Sequence, residues 1–299
     1  MAEETDIEIE GPGAEPEPLP DPGLSIGRGI KLMLLGWTVG LVAAGLAHFA
    51  LGKEGTSSVG NIVGLSTMAW VGYRMSRRPF RSVFSVRGFS PGLLIPMVLM
   101  VLGGAVIVAE LGNLMEEIVP VPQVLRELFL KILTADDWQG FLWRAALLSV
   151  MAPVTEEVVF RGVFQHGFVR RYGVIKGIAA SSICFGVFHL IPWQAVSTAV
   201  VGLMLGLIVL RTGLIFAGMA MHAIWNLLPL VAISLLRDTV LPGFDLNSSE
   251  IHHVPVPALL TSAVLLWLGL RLLWRGTEGI QVQPDADGFS PTAEKAAPE

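Results

Sequence analysis

The sequence predicts an all-α polytopic membrane bundle of about eight transmembrane helices, with one amphipathic helix at the interface. Three observations predict it. Hydrophobic residues make up 53% of the 299 and charged residues only 15%, against about 25% charged in a soluble chain. Apolar stretches of roughly 20 residues, the length that crosses the hydrocarbon core, recur through the middle of the chain. Basic residues gather in alternate connections between them. The mean hydropathy of +0.64 agrees.

Taken in order, the chain opens with a tail. Met1 to Asp21 holds eight Asp/Glu and no Lys or Arg, with many Pro and Gly, so residues 1–25 are expected to be disordered. A similar tail is expected over 276–299, leaving 26–275 as one membrane domain. The net charge of -5 therefore sits in the tails, and neither tail suits nucleic acid. No basic n-region of a cleaved signal precedes the first apolar stretch, which is expected to insert uncleaved. The predicted spans are 30–51, 57–75, 91–113, 145–168, 174–191, 194–210, 213–236 and 256–274. Between the third and fourth, Val124, Leu125, Leu128, Phe129 and Ile132 recur at helical spacing beside Arg126, Glu127 and Lys131. Glu116–Asp136 is therefore read as an interfacial helix or a cap on the bundle. Asp136 and Asp137 are read as starting the long fourth helix, with Trp138 and Trp143 as interfacial anchors.

Positive charge sets orientation. Arg28 and Lys31 precede the first span; Arg74, Arg77, Arg78, Arg81 and Arg87 follow the second; Arg170, Arg171 and Lys176 follow the fourth. Arg211 follows the sixth, and Arg271 and Arg275 end the eighth. With eight spans all fall on one side, which places both termini in the cytoplasm of a cell, read from composition as bacterial. The single cysteine, Cys184, excludes a disulfide framework and is read as packing. Gly202, Gly206 and Gly218 are read as close-packing positions. His48 and His166 are read as interfacial or loop residues, and His252-His253 as solvated in an outer loop.

The informative residues lie inside the spans, where ionisable groups are costly and mark functional sites. The fourth carries Glu156, Glu157 and Arg161; the fifth Phe185 and His189; the seventh His222 and Asn226. At 1.5 Å per residue, Glu156 lies about 21 Å from Arg170, His189 about 20 Å from Lys176, His222 about 16 Å and Asn226 about 22 Å from Arg211. Three helices thus aim polar groups at one layer near mid-membrane. Residues four apart share a helix face, so His222 and Asn226 point together and Phe185 packs under His189. Glu157 and Arg161 pair in the favourable acid-first order. Glu156, rotated about 100° from Glu157, is left to face the histidines.

A carboxylate there takes a proton from water attacking a carbonyl. One histidine orients that water; a second histidine and an amide donate to the developing oxyanion. Alternatively Glu156, His189 and His222 hold Zn²⁺ or another divalent metal that activates the water. A non-catalytic reading also stands, in which the same polar layer serves an ion- or proton-coupled transporter or a binding protein. No His-Glu-x-x-His, Gly-x-Ser-x-Gly or intramembrane aspartate pair supports another protease chemistry.

Glu156-Glu157-x-x-x-Arg161, Phe185-x-x-x-His189 and His222-x-x-x-Asn226 resemble the motifs of the CPBP family, also called Abi or CAAX-protease-like, which includes type II CAAX prenyl endopeptidases. The resemblance covers roughly 138–236. It implies an intramembrane endopeptidase acting on a membrane-bound or membrane-proximal polypeptide. Glu156 would be the base, His189 would assist the water, and His222 and Asn226 would form the oxyanion site. Glu157, Arg161 and Phe185 would support them. Members are described both as metalloproteases and as metal-independent glutamate proteases, so a divalent metal and none both remain open. Eukaryotic members process prenylated proteins. Bacterial relatives include bacteriocin-immunity factors, a non-catalytic alternative.

Overall fold

The computed structural model describes residues 23–51, 56–84, 90–235, 243–244, 250–278, 280–285 and 288–293. The acidic N-terminal run and Arg87 lie outside these residues. All eight predicted segments fall on helices. These are α1 (Ile26–Leu51), α2 (Thr56–Ser76), α4 (Leu94–Ile118, after the short α3, Phe80–Val83), a long compound helix starting at Trp138, α9 (Val174–Phe188), α10 (Pro192–Thr212), α11 (Ile215–Leu235) and α12 (Val256–Gly276). Five helices among the described residues are long and apolar enough by themselves to cross a membrane: those at 26–50, 91–118, 192–212, 215–235 and 256–276. Helix α2 is more polar, α9 is shorter, and the compound helix is broken in type. With these apolar helices the chain is a multi-pass membrane protein.

The apolar residues facing outward fit that environment. On α12, Val256, Leu260, Val264 and Trp267 are all more than half exposed, at the spacing of one helix face. The amphipathic helix α5 (Gln123–Leu133) is shorter than the 116–136 expected from sequence and buries no residue. Its Val124, Leu128 and Ile132 form an exposed apolar stripe, while Arg126 pairs with Glu116. That is the geometry of a helix lying at an interface.

The compound helix is where periodicity misled. Helices α6 (Trp138–Arg144), α7 (Ala152–Glu157) and α8 (His166–Tyr172) are joined without a break by two π-helical stretches, Ala145–Met151 and Val158–Gln165. Asp137 caps the start, its carboxylate accepting from Gly140 N–H at 2.6 Å, as the sequence suggests. The first π stretch ends at Met151, two residues before Pro153, which has no N–H and would clash with the carbonyl four residues back in a continuous α-helix. Such widened turns are frequent at functional sites.

Helices α1 and α2 meet through four glycines. A Cβ on Gly40 would lie 2.8 Å from the Gly60 carbonyl, and one on Gly64 would lie 2.5 Å from that of Gly36. Gly36/Gly40 and Gly60/Gly64 are facing Gly-x-x-x-Gly pairs, which let membrane helices approach backbone to backbone. Helix α12 runs antiparallel to α4 in the same way, with Gly103 against Ser262 and Leu266 and Gly269 against Pro96 and Met100. The described part ends with a two-stranded antiparallel hairpin, β1 (Ile280–Asp285) with β2 (Gly288–Ala293), within the 276–299 stretch that the sequence reading expected to be a disordered tail.

Candidate active site

The site is built on the turn where α7 passes into the second π stretch. Glu157 is fully buried and lies between two cationic or protic partners. One carboxylate oxygen is 3.2 Å from Arg161 Nε. The other accepts a hydrogen bond from His222 Nδ1 at 3.0 Å. The Glu157–Arg161 pair expected from sequence is present, and Glu157 in addition orients the α11 histidine. The bond that Nδ1–H donates to Glu157 orients the ring and turns His222 Nε2 toward Glu156, whose Oε2 lies 3.7 Å away. Glu156 keeps some access, with 15% of its side chain exposed.

Arg161 is held from a third helix. Its guanidinium donates to the Gly202 carbonyl of α10 at 3.3 Å and lies over the Phe185 ring at 4.8 Å, a favourable cation–π contact. One turn on, Gln165 donates to the Gly206 carbonyl at 3.0 Å. These two rungs tie the π stretch to α10. They need Gly202 and Gly206, because a Cβ on Gly206 would sit 2.7 Å from Gln165 Oε1. The close-packing reading of these glycines holds, and Gly218 approaches Glu157 itself, a Cβ there falling 3.0 Å from Glu157 Oε2. Cys184 is buried, also as expected.

Phe185 gathers the two histidines. Its ring centroid is 5.0 Å from that of His189 and 5.7 Å from that of His222, both edge-on. His189 is the C-cap of α9, and its Nδ1–H donates to the Phe185 carbonyl at 2.8 Å. This bond leaves Nε2 as the free ring nitrogen in the neutral imidazole. The cap is secured from α1: Trp37 donates to the Phe188 carbonyl at 3.3 Å and stacks on the Phe188 ring. Trp37 and Gln165 escaped sequence reasoning. An indole in a first span carries no address, whereas Gln165, four residues beyond Arg161, could have been found from spacing.

Asn226 is placed differently from the rest. Its Nδ2 donates to the Leu148 carbonyl at 2.8 Å. The N–H of Ala152 is spent on Leu147, and residue 153, the next π-type donor, is proline. Asn226 therefore supplies the hydrogen bond that Pro153 withholds, with one N–H and Oδ1 left over.

Among the described residues no group of three His, Cys, Asp or Glu is gathered as a metal site, so Glu156, His189 and His222 do not form a ligand set. His166, expected in a loop or interface, is buried in α8. Of the outer-loop pair, His253 is not simply solvated: it bonds to Glu110 at 2.8 Å and to Glu117 at 3.2 Å.

Residues 138–228 match the family model described as Rce1-like, type II CAAX prenyl endopeptidase Rce1-like. No curated protein and no solved structure matches the chain. The matched stretch starts with the compound helix and closes two residues after Asn226, so the motif residues of this multi-pass membrane protein all lie in the part of the chain that is similar to the CAAX-protease-like, Rce1-like family.

Proposed function

We propose that the protein is an intramembrane endopeptidase that hydrolyses a membrane-bound or membrane-proximal polypeptide with water activated by Glu156. The observation that carries this is the pairing of Glu156 Oε2 with His222 Nε2 at 3.7 Å, with Glu157 and Arg161 locked behind the imidazole. The Glu156 carboxylate takes a proton from water as its oxygen attacks the peptide carbonyl. The oxyanion develops in the site formed by the His222 ring, which Glu157 holds at Nδ1, and the remaining N–H of Asn226. His189 Nε2 orients the water. As the tetrahedral species collapses, the proton on Glu156 passes to the departing amine, which restores the carboxylate.

The same reading takes all eight helical segments as spans. Arg28, Arg78 and Arg170 line one cavity, and Arg211 hydrogen-bonds Thr277 at 2.9 Å, beside Arg275 at the end of α12. Basic residues from separate helices thus meet at one end. The positive-inside rule makes that end cytoplasmic, with both termini.

Glu156→Gln tests the proposal. Cleavage of a reporter polypeptide in membranes is expected to fall by at least about 100-fold, the usual contribution of a general base, with expression and thermal stability near wild type. Undiminished cleavage sinks the mechanism. Ion flux in proteoliposomes, with no peptide cut by the wild type, would replace it with transport. Uncut polypeptides accumulating in membranes of Glu156→Gln cells would name the substrate.

A further inference from the structure

Away from the motif residues, a small cavity lies where the start of α1, the end of α2 and α8 converge. Arg28, Arg78, Arg170, His166 and Ser76 line it, and no Asp or Glu is among its described lining residues. Its construction is specific. The Leu24 N–H donates to the Gly167 carbonyl at 3.1 Å, pinning the segment before α1 onto α8. Gly23 has φ +78, and a Cβ there would fall 2.4 Å from the Gly167 oxygen. A Cβ on Gly167 would meet that of Leu24 at 2.5 Å. The two glycines permit the approach that brings Arg28 to the cavity. On the opposite wall Arg77 ends α2 at φ 51, a left-handed conformation rare outside glycine, and Pro79 follows. That reversal sets Arg78 in the wall, with its Nε buried and lacking a hydrogen-bond partner among the described residues.

A buried guanidinium N–H without an acceptor is costly. Guanidinium forks match phosphate oxygens in geometry as well as charge. We propose that this cavity binds a phosphate-bearing anion, drawn either from the headgroup of an acidic phospholipid or from free phosphate. Its place at the basic end of the bundle is where an acidic leaflet would meet the protein. The Glu156 chemistry is not needed for it, so the two proposals fail separately.

The test uses the full chain in phosphatidylcholine nanodiscs, followed by amide hydrogen exchange at residues 23–30 and 74–84. One arm adds phosphatidic acid to the bilayer; the other adds inorganic phosphate to the buffer. At ten times the dissociation constant, exchange through opening of the site is expected to slow about tenfold. Slowing with phosphatidic acid alone assigns the lipid headgroup. Slowing with inorganic phosphate assigns the free anion. The double variant Arg28→Gln/Arg78→Gln is expected to lose the response, and Arg28→Lys/Arg78→Lys to keep it. Wild-type exchange unchanged by both phosphate sources overturns the proposal. So does a folded double-Gln variant that responds like the wild type.

Discussion

Glu156 and Glu157 are neighbours in sequence with opposite physical duties. Glu157 and Arg161 are both sealed from solvent, so each charge depends on the other and on His222 and Gly202. Removing one partner of a buried pair costs roughly 3–5 kcal/mol, because the charge left behind is uncompensated. Glu157→Gln is therefore expected to destabilise the protein by that order in thermal or denaturant unfolding. Glu156→Gln, at a partly exposed carboxyl with no contact under 3.7 Å to His222, should unfold like the wild type. Equal stability of the two variants would contradict the division of roles. That division was half legible in the sequence. Four-residue spacing gave the Glu157–Arg161 pair and the packing of Phe185 under His189. Helical geometry alone could not show that Glu157 reaches across to His222, since that contact depends on how closely α11 approaches at Gly218.

At the scale of elements, the sequence located every helix near the site but not their type. Apolar periodicity reads a π turn and an α turn alike over a few residues, so the stretches at Ala145–Met151 and Val158–Gln165 had no visible signature except Pro153. The four glycines between α1 and α2 have Gly-x-x-x-Gly spacing that sequence reasoning passed over, and only their facing one another in the fold gives them meaning. The first π stretch also bears on Asn226. If Asn226 serves only to satisfy Leu148, Asn226→Ala should cost about 1–3 kcal/mol, the penalty of an orphaned buried acceptor. Pro153→Ala supplies a backbone N–H in its place, so the double variant should recover stability. Cleavage then separates the roles. Under the proposed oxyanion function, the double variant regains its melting temperature while cleavage stays low. Recovery of both would reduce Asn226 to a tether.

Over the whole molecule, the polar layer and the two ends of the bundle are separate electrostatic systems. One end gathers arginines. The other, at the C-terminus of α4 and the N-terminus of α12, carries a clamp around His253. Its Nδ1 and Nε2 bond Glu110 and Glu117, while Glu110 also accepts from the Val254 N–H at 2.9 Å and from Asn113 at 3.2 Å. Asn113 in turn holds the carbonyls of Gly243 and His252. The next imidazole, His252, faces Glu250 at 3.9 Å. Hydrogen bonds to Glu110 and Glu117 raise the pKa of His253 above its ordinary value against an opposing desolvation, and the charges of the two carboxylates add to the rise. A group whose pKa is raised on folding stabilises the folded state fully below its unfolded pKa, about 6.5 for histidine. The contribution fades as pH rises through the higher folded value. The connection into α12 should accordingly loosen as pH rises above the unfolded histidine value. Thermal stability of the wild type should decline from about pH 6 upward relative to His253→Gln, whose neutral amide does not titrate. Glu156→Gln should retain the wild-type slope, because its carboxyl lies in the polar layer and not in this clamp. Parallel pH profiles for wild type and His253→Gln would show that the two carboxylates do not hold a protonated imidazole at this end.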